Sequence, residues 1–252
     1  MMRKEMFEDI VNIVKEINDE VWFVSDGNRF KTVVIDPPHV TGVSLIVDGD
    51  YFGIPDNKVI DVENAERMIK ALKKMRFDNY NVSGDDRTDY SLIEFFDAEG
   101  LIGRMRLSDA HRDLFEAPPV DMSAFPPVKV DVNGYAPILK KKDSAILLPF
   151  KKTDVKEDEV ELLRYGYVGE PFDNGHMEKV DLGSGVAYEA EEKADIWMDV
   201  DYFNTLTRLA KIMGGMSGKM YIDSVHYFDG KKEYVDGTTL KLRYYVAPMM
   251  GD

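Results

Sequence analysis

Cysteine is absent from the 252 residues. Its absence excludes disulfides, thiolate nucleophiles and Cys-based zinc sites. Histidine is scarce: His39, His111, His176 and His226 stand apart, with no His-x3-His or similar ligand spacing. There is no Gly-rich phosphate loop and no Gly-x-Ser-x-Gly elbow. The Asp-rich stretches VDGDYF and SGDDRTD read as turns. No apolar run approaches the roughly 18–20 residues that cross a bilayer, so no membrane association is expected. The start, MMRKEMFEDI, is acidic and amphipathic and lacks the apolar centre of a secretory signal. No catalytic residue, metal ligand or cofactor is expected, and the chain does not read as an enzyme. Basic residues are also in deficit, 32 against 47 acidic, for a formal net charge of −15. On average such a chain repels phosphate. What matters is whether the 32 are scattered or gathered.

The rest of the composition is that of a globular protein, 44% hydrophobic and 31% charged, with enough apolar residues for a sizeable core. Helical spacing predicts a first helix from Arg3 to about Asn18, with Met6, Ile10, Ile13, Val14 and Ile17 inward. A second starts at the N-cap Asp61, with a stripe of Val62, Ala65, Met68, Ile69, Leu72 and Met75. A short third is expected from about Asn133 through GYAPILKKKDS, with Pro137 in its first turn. A fourth starts at Asp199 and stops at Gly214-Gly215. Nearly everything else alternates apolar and polar residues between tight turns, as strands do. The strand runs are grouped, which argues for α+β and against a parallel βαβ sheet.

One internal comparison organises the chain. Residues 60–75, IDVENAERMIKALKKM, align with 198–213, MDVDYFNTLTRLAKIM, at an offset of 138 residues. Asp61 meets Asp199, Lys70 meets Arg208, Lys73 meets Lys211 and Met75 meets Met213. The order helix, strands, helix, strands occurs twice, which reads as one domain duplicated. Between the copies lies FEAPPVDMSAFPPV, whose four prolines make an extended connector. The expected organisation is an N-terminal domain at 1–114, a connecting loop at 115–128 and a C-terminal domain at 129–252.

The duplicated helices also gather charge. Lys70 and Lys73 are three apart on one helix face, and so are Arg208 and Lys211. The third segment adds Lys140, Lys141 and Lys142. One reading makes these ordinary solvated lysines near helix C-termini, where the dipole favours them. The other makes them a basic face inside an acidic protein.

Four landmarks then fall in order: VIDPPHVTGVSL, the Pro-rich connector, DYFNTLTRLAKIM, and the closing YYVAPMM. Together they resemble the PCNA-type sliding clamps of archaea and eukaryotes across nearly the whole chain. The resemblance implies two clamp domains, each with two helices packed on curved antiparallel sheets. It implies subunits joined edge to edge, as a homotrimer, into a ring that encircles duplex DNA. The function implied is that of a processivity factor in replication and repair. Such a ring tethers a DNA polymerase, is set in place by a clamp loader, and binds other proteins carrying a short clamp-binding peptide. The positions matching the DNA-facing helices are Lys70, Lys73, Lys140, Arg208 and Lys211, followed by Arg67, Lys74, Lys141 and Lys15. Those matching the family's partner pocket, under the connecting loop, are Ile35, His39, Val40, Val120, Phe125, Ala247 and Pro248. His39 has a second reading as a cap of its own turn, and Phe125 as core packing.

The chain departs from the family where its first strand is missing or reduced to MMRK, where Gly42 replaces an apolar residue, and across 165–195. That last segment corresponds to one edge of the subunit interface. A monomeric or heteromeric clamp-like protein, acting as a regulator or decoy of clamp partners, therefore stands as the alternative. An archaeal, viral or plasmid origin implies a nucleoid-associated cytoplasmic protein, and a eukaryotic origin a nuclear one.

Overall fold

The computed structural model describes residues 2–26, 29–48, 58–84, 91–109, 117–120, 122–140, 144–153, 160–172 and 175–249. The chain divides into two compact units, one of residues 1–117 and 232–242, the other of 118–231 and 243–252.

The first unit begins with β1 (Met2–Arg3) and α1 (Lys4–Lys15), then β2 (Glu20–Asp26), β3 (Arg29–Ile35), β4 (Thr41–Asp48) and β5 (Lys58–Asp61). α2 (Val62–Met75), β6 (Asn79–Gly84), β7 (Ser91–Asp97) and β8 (Gly100–Asp109) follow. The strands run antiparallel in the order β1-β6-β7-β8-β5-β2-β3-β4. Of the two expectations for the first strand, the reduced one holds: β1 has two residues, paired at Met2 with Tyr80 and at Arg3 with Asn79. α1 buries Met6, Phe7, Ile10, Val11, Ile13 and Val14. α2 buries Val62, Ala65, Ile69 and Leu72, while Met75, expected inward, is exposed at the end of its helix. Under α1, the Phe7 and Tyr80 rings lie 4.7 Å apart and Phe77 stands edge-on to Phe95 at 5.2 Å, geometries that aromatic quadrupoles favour. The 232–242 segment is tied to α1 by Lys232, 2.7 Å from Asp9 and 3.0 Å from Glu5, and by the Tyr234 hydroxyl, which donates to Asp9 at 2.7 Å. Burial alone would lower the Lys232 ammonium pKa, but the bonds to Asp9 and Glu5 outweigh it and raise it.

The second unit contains β9 (Val128–Val132), β10 (Ala145–Phe150), β11 (Glu161–Leu162), β12 (Tyr165–Gly169) and β13 (Glu178–Asp181). These are followed by β14 (Val186–Glu189), β15 (Ala194–Asp199), α3 (Val200–Met213) and β16 (Met216–Met220). β17 (His226–Glu233) and β18 (Thr239–Val246) close the chain and contribute to both units. One sheet runs β13-β12-β10-β15, and a second arrangement runs β17-β16-β9-β14-β11. β9 alternates buried Val128, Val130 and Val132 with exposed Lys129 and Asp131, the period-2 pattern of a strand with one face inward. α3 is covered on most sides, burying Val200, Phe203, Leu206, Leu209, Ala210 and Met213 along with Asn204, Thr205 and Thr207.

The helix expected from Asn133 does not form over residues 133–140. Among the described residues the second unit has one helix where two were expected. Residues 133–136 make a turn closed by Ala136 N–H donating to Asn133 C=O at 3.1 Å. Asn133 is drawn away from a helix start by its neighbours: its N–H donates to Gly185 C=O at 3.0 Å and its side-chain amide to Ser184 C=O at 2.9 Å. The turn then packs so closely on Gly185 that a Cβ there would lie 2.2 Å from the Ala136 Cα. After it, Leu139 exchanges both backbone hydrogen bonds with the Asn204 carboxamide of α3, at 2.7 and 3.0 Å. A buried amide with both ends satisfied fixes an extended segment where helical bonds would otherwise run.

Candidate nucleic-acid interface and docking pocket

α2 and α3 are built alike. Each follows a strand, β5 or β15, whose last residue is an Asp acting as N-cap. Asp61 accepts from Asn64 N–H at 2.9 Å and Asp199 from Asp201 N–H at 2.7 Å. That fixes the phase of each helix and so fixes which residues face outward.

On α2, Arg67, Lys70, Lys73 and Lys74 are all exposed. Three of them are paired with carboxylates. Arg67 bonds Glu63 one turn back. Lys70 lies 2.6 Å from Glu66, which also takes Lys15 at the end of α1 at 3.0 Å. Lys73 lies 3.5 Å from Glu8 of α1. The bonds from Lys70 and then Lys15 hold the Glu66 carboxyl below the usual carboxylate range. This face is therefore a lattice of mixed charge. Exposed pairs of this kind contribute little to stability and exchange readily.

On α3, Lys211 is exposed in the last turn and Arg208, one turn earlier, is half-buried. Lys211 lies beside the 133–136 turn: a Cβ at Gly134 would sit 3.4 Å from the Lys211 Cα. Lys140 is exposed on the extended segment that Asn204 holds against α3. The second unit thus brings Lys140, Arg208 and Lys211 to α3 and the segment beside it. Lys141 lies outside the described residues.

The residues assigned to partner contact fall on both units, and each set is described on its own unit. In the first, Ile35 and Val40 are half-buried and His39 is exposed on the turn between β3 and β4. Asp36 caps the turn. Asp36 Oδ1 accepts from the N–H groups of Val40 and Thr41, both at 2.8 Å. His39 itself sits at φ 61°. Gly42 lies against Val34 C=O, 3.0 Å from where a Cβ would be.

In the second unit the connecting segment is anchored on the loop before β17. Ser123 donates to Asp223 and accepts from Phe125 N–H at 3.0 Å. Val120 packs on a cluster of Tyr221, Tyr227 and Tyr245. Arg243 covers that cluster, 4.9 Å over the Tyr227 ring and forked on Asp229 at 2.5 and 2.7 Å. Phe125 is half-exposed at 50%, so it is not core. Ala247 and Pro248 are half-buried just past β18.

Beside Pro248 opens a pocket of about 250 Å³ lined chiefly by Phe172, Trp197, Ile222, His226, Pro248 and Met249. Of these, Pro248 is the residue the resemblance assigns to a partner pocket. The others come from the β12–β13 connection (Phe172), β15 (Trp197), the loop before β17 (Ile222), the start of β17 (His226) and the segment after β18 (Met249). Their only advance signal was the apolar character of Trp197, Phe172 and Ile222. Among the described residues no group of three or more His, Asp or Glu has metal-site geometry. No described helix is long and apolar enough to cross a membrane.

No family model matches the sequence, and no curated protein matches it by sequence. Solved structures do match. The proliferating cellular nuclear antigen (PCNA) of Entamoeba histolytica superposes with a TM-score of 0.72 at 15% identity, over 98% of this chain and 96% of that one. A PCNA2–PCNA3 complex from Sulfolobus tokodaii matches with a TM-score of 0.66 at 12% identity, over 97% and 96%. The chain has the α+β fold of these PCNA structures from end to end, at a sequence distance where only the fold is held in common.

Proposed function

We propose that this chain is a sliding clamp, a non-enzymatic ring subunit that encircles duplex DNA and tethers a polymerase and other proteins of replication and repair. The observation that carries this reading is the match to the PCNA fold along the whole chain, with exposed basic side chains on α2 and α3. DNA contact is assigned to Lys70, Lys73, Lys140, Arg208 and Lys211, then to Arg67, Lys74, Lys141 and Lys15. Phosphate contacts of this kind are blind to sequence and weaken with salt, which suits a tether held by topology. The acidic remainder of the chain repels DNA elsewhere. Partner docking is assigned to Val120, Phe125, Ala247 and Pro248 on the second unit, and separately to Ile35, His39 and Val40 on the first. The proposed organisation is two clamp domains, 1–114 and 129–252, joined by the connector 115–128.

The test is primer extension on circular primed DNA with a clamp-dependent polymerase and its loader. Added protein is expected to lengthen the products. Reversing charge together at Lys70, Lys73, Arg208 and Lys211 is expected to abolish the gain while leaving the unfolding midpoint within ordinary surface-mutation scatter. A quadruple variant that works normally rejects these residues as the DNA face.

A second reading makes the chain one subunit of a heteromeric ring. It is favoured by the Sulfolobus match, which is to a complex of two different PCNA chains.

A further inference from the structure

The 133–140 segment carries two large apolar side chains that the core does not use. Tyr135 is 84% exposed and Ile138 47%. Single apolar side chains on a surface are ordinary. The backbone under Tyr135 is held more firmly than that of an ordinary loop. Tyr135 N–H donates to Asn133 Oδ1 at 2.9 Å, while the Asn133 amide and N–H bond Ser184 and Gly185. Ala136, the next residue, lies so close to Gly185 that no Cβ fits there. Leu139 is fixed to α3 by Asn204. Tyr135 is therefore presented to solvent on a rigid support. A ring held in this way loses little freedom when something flat is laid on it.

The groups around it are cations. Gly134, on one side in the chain, lies against Lys211 of α3, and Lys140 is exposed further along the same segment. On α2, Lys70 and Lys73 have carboxylates at 2.6 and 3.5 Å. Among the described residues, Lys140 and Lys211 have no carboxylate partner. Their charge is available to an incoming anion.

An aromatic face with uncompensated lysines near it suits a nucleobase and the phosphates on either side of it. The base must be unpaired, because both faces of a base inside a duplex are covered by its neighbours. An acidic, aromatic protein segment is the competing occupant, and the test separates the two.

We propose that Tyr135 is a stacking platform for an unpaired base of single-stranded DNA, with Lys140 and Lys211 taking the flanking phosphates. This rests on the reading of the α3 side of the second unit as DNA-facing. It goes beyond that reading, because a threaded duplex needs phosphate contacts alone. On primed DNA such a base is found in the template strand beyond the primer end.

The probes are a fluorescein-labelled oligothymidylate of about twelve nucleotides, within the footprint usual for one single-strand-binding domain, and a blunt duplex of equal length. Fluorescence anisotropy is read on the intact protein at low salt. Tyr135→Ala is expected to weaken the oligothymidylate by about fivefold or more and the duplex by less than twofold. Tyr135→Trp is expected to restore single-strand affinity. The side chain is exposed, so its removal takes nothing from the core. Lys140→Ala and Lys211→Ala are expected to weaken single-strand binding and to flatten its salt dependence. As a second readout, an oligothymidylate carrying iododeoxyuridine is irradiated with the wild-type protein, and the cross-link is expected at Tyr135 by mass spectrometry. No binding of the oligothymidylate, equal losses on the two probes for Tyr135→Ala, or cross-links only at other residues overturns the proposal. A Tyr135→Ala variant that keeps its oligothymidylate affinity but loses polymerase binding assigns the ring to protein contact and also overturns it. If single-strand binding fails while primer extension is stimulated, this inference falls and the clamp reading stands. If Tyr135-dependent binding holds while primer extension is unaffected, the clamp reading falls and the stacking site stands.

Discussion

At the scale of single residues, His226 ties burial to stability. Burial depresses its pKa from the ordinary 6.5 to about 4, because the charged imidazolium loses its hydration. The folded state therefore holds fewer protons than the unfolded chain between those two values. The stability tied to neutral His226 is fully present above pH 6.5 and is lost as pH falls towards 4, amounting to ~3 kcal/mol. His226→Asn keeps an acceptor for Tyr221 N–H and does not titrate. The difference in urea-unfolding free energy between wild type and this variant is expected to shrink by about that amount from pH 7 to pH 4. A difference that stays flat with pH shows that His226 is not held neutral in the fold. Nothing in the sequence around DSVHYF marks this histidine out. Its burial depends on β17 pairing with β16, Gly218 opposite Phe228, and on a pocket wall contributed by Trp197 and Phe172, dozens of residues earlier in the chain. Asp36 was hidden for a different reason. An Asp before Pro-Pro reads as a turn former, but which side chain caps the turn is decided by two backbone N–H groups that only the folded turn aims at it.

At the scale of elements, the parts that sequence made visible are those governed by local periodicity and caps. α1, α2 and α3 follow their apolar stripes, and Asp61 and Asp199 cap as short polar residues before helices do. The segment after Asn133 misleads because Ala136, Ile138, Leu139 and three lysines imitate a short helix, while Gly185 and Asn204, far along the chain, hold it open. Tertiary hydrogen bonds override a weak local preference there. The duplicated helices differ at their C-terminal ends, and this difference is testable. α3 ends on Gly214 at φ 82°, and α2 ends on Arg76 at φ 55°. Both are left-handed, a conformation that glycine adopts without a Cβ penalty. Arg76→Gly is expected to stabilise the protein by up to ~1 kcal/mol, and Gly214→Ala to destabilise it by about 1 kcal/mol. A Cβ at Gly214 meets nothing within 4 Å, so the second cost is conformational and not a clash. Urea midpoints measured for both variants check the pair. Equal and opposite shifts support a common capping geometry, and a stabilising Gly214→Ala contradicts it.

At the scale of the whole molecule, the net charge of −15 sets two salt dependences against each other. On the clamp reading, identical subunits must meet although each carries the same excess of negative charge. Their mutual repulsion reaches about 30 Å at 0.01 M salt but only ~8 Å at physiological ionic strength. Assembly of a homomeric ring is therefore expected to strengthen as salt rises into the physiological range. Attraction of DNA to the lysines of α2 and α3 must weaken over the same range, as counterion release requires. A working ring needs a salt window in which subunits hold together and DNA is still gripped loosely. Sedimentation velocity at low and physiological salt tests the first half of this. A species of three times 28.8 kDa is expected at physiological salt, with a growing monomer fraction at 0.01 M. A mass that falls instead as salt rises would place ion pairs, and not apolar or backbone pairing, at the subunit contact. A monomer at every concentration and every salt removes the homomeric ring. It leaves the heteromeric subunit and the monomeric regulator as the forms in which this fold can act, and the same experiment repeated with a second clamp chain then decides between those two.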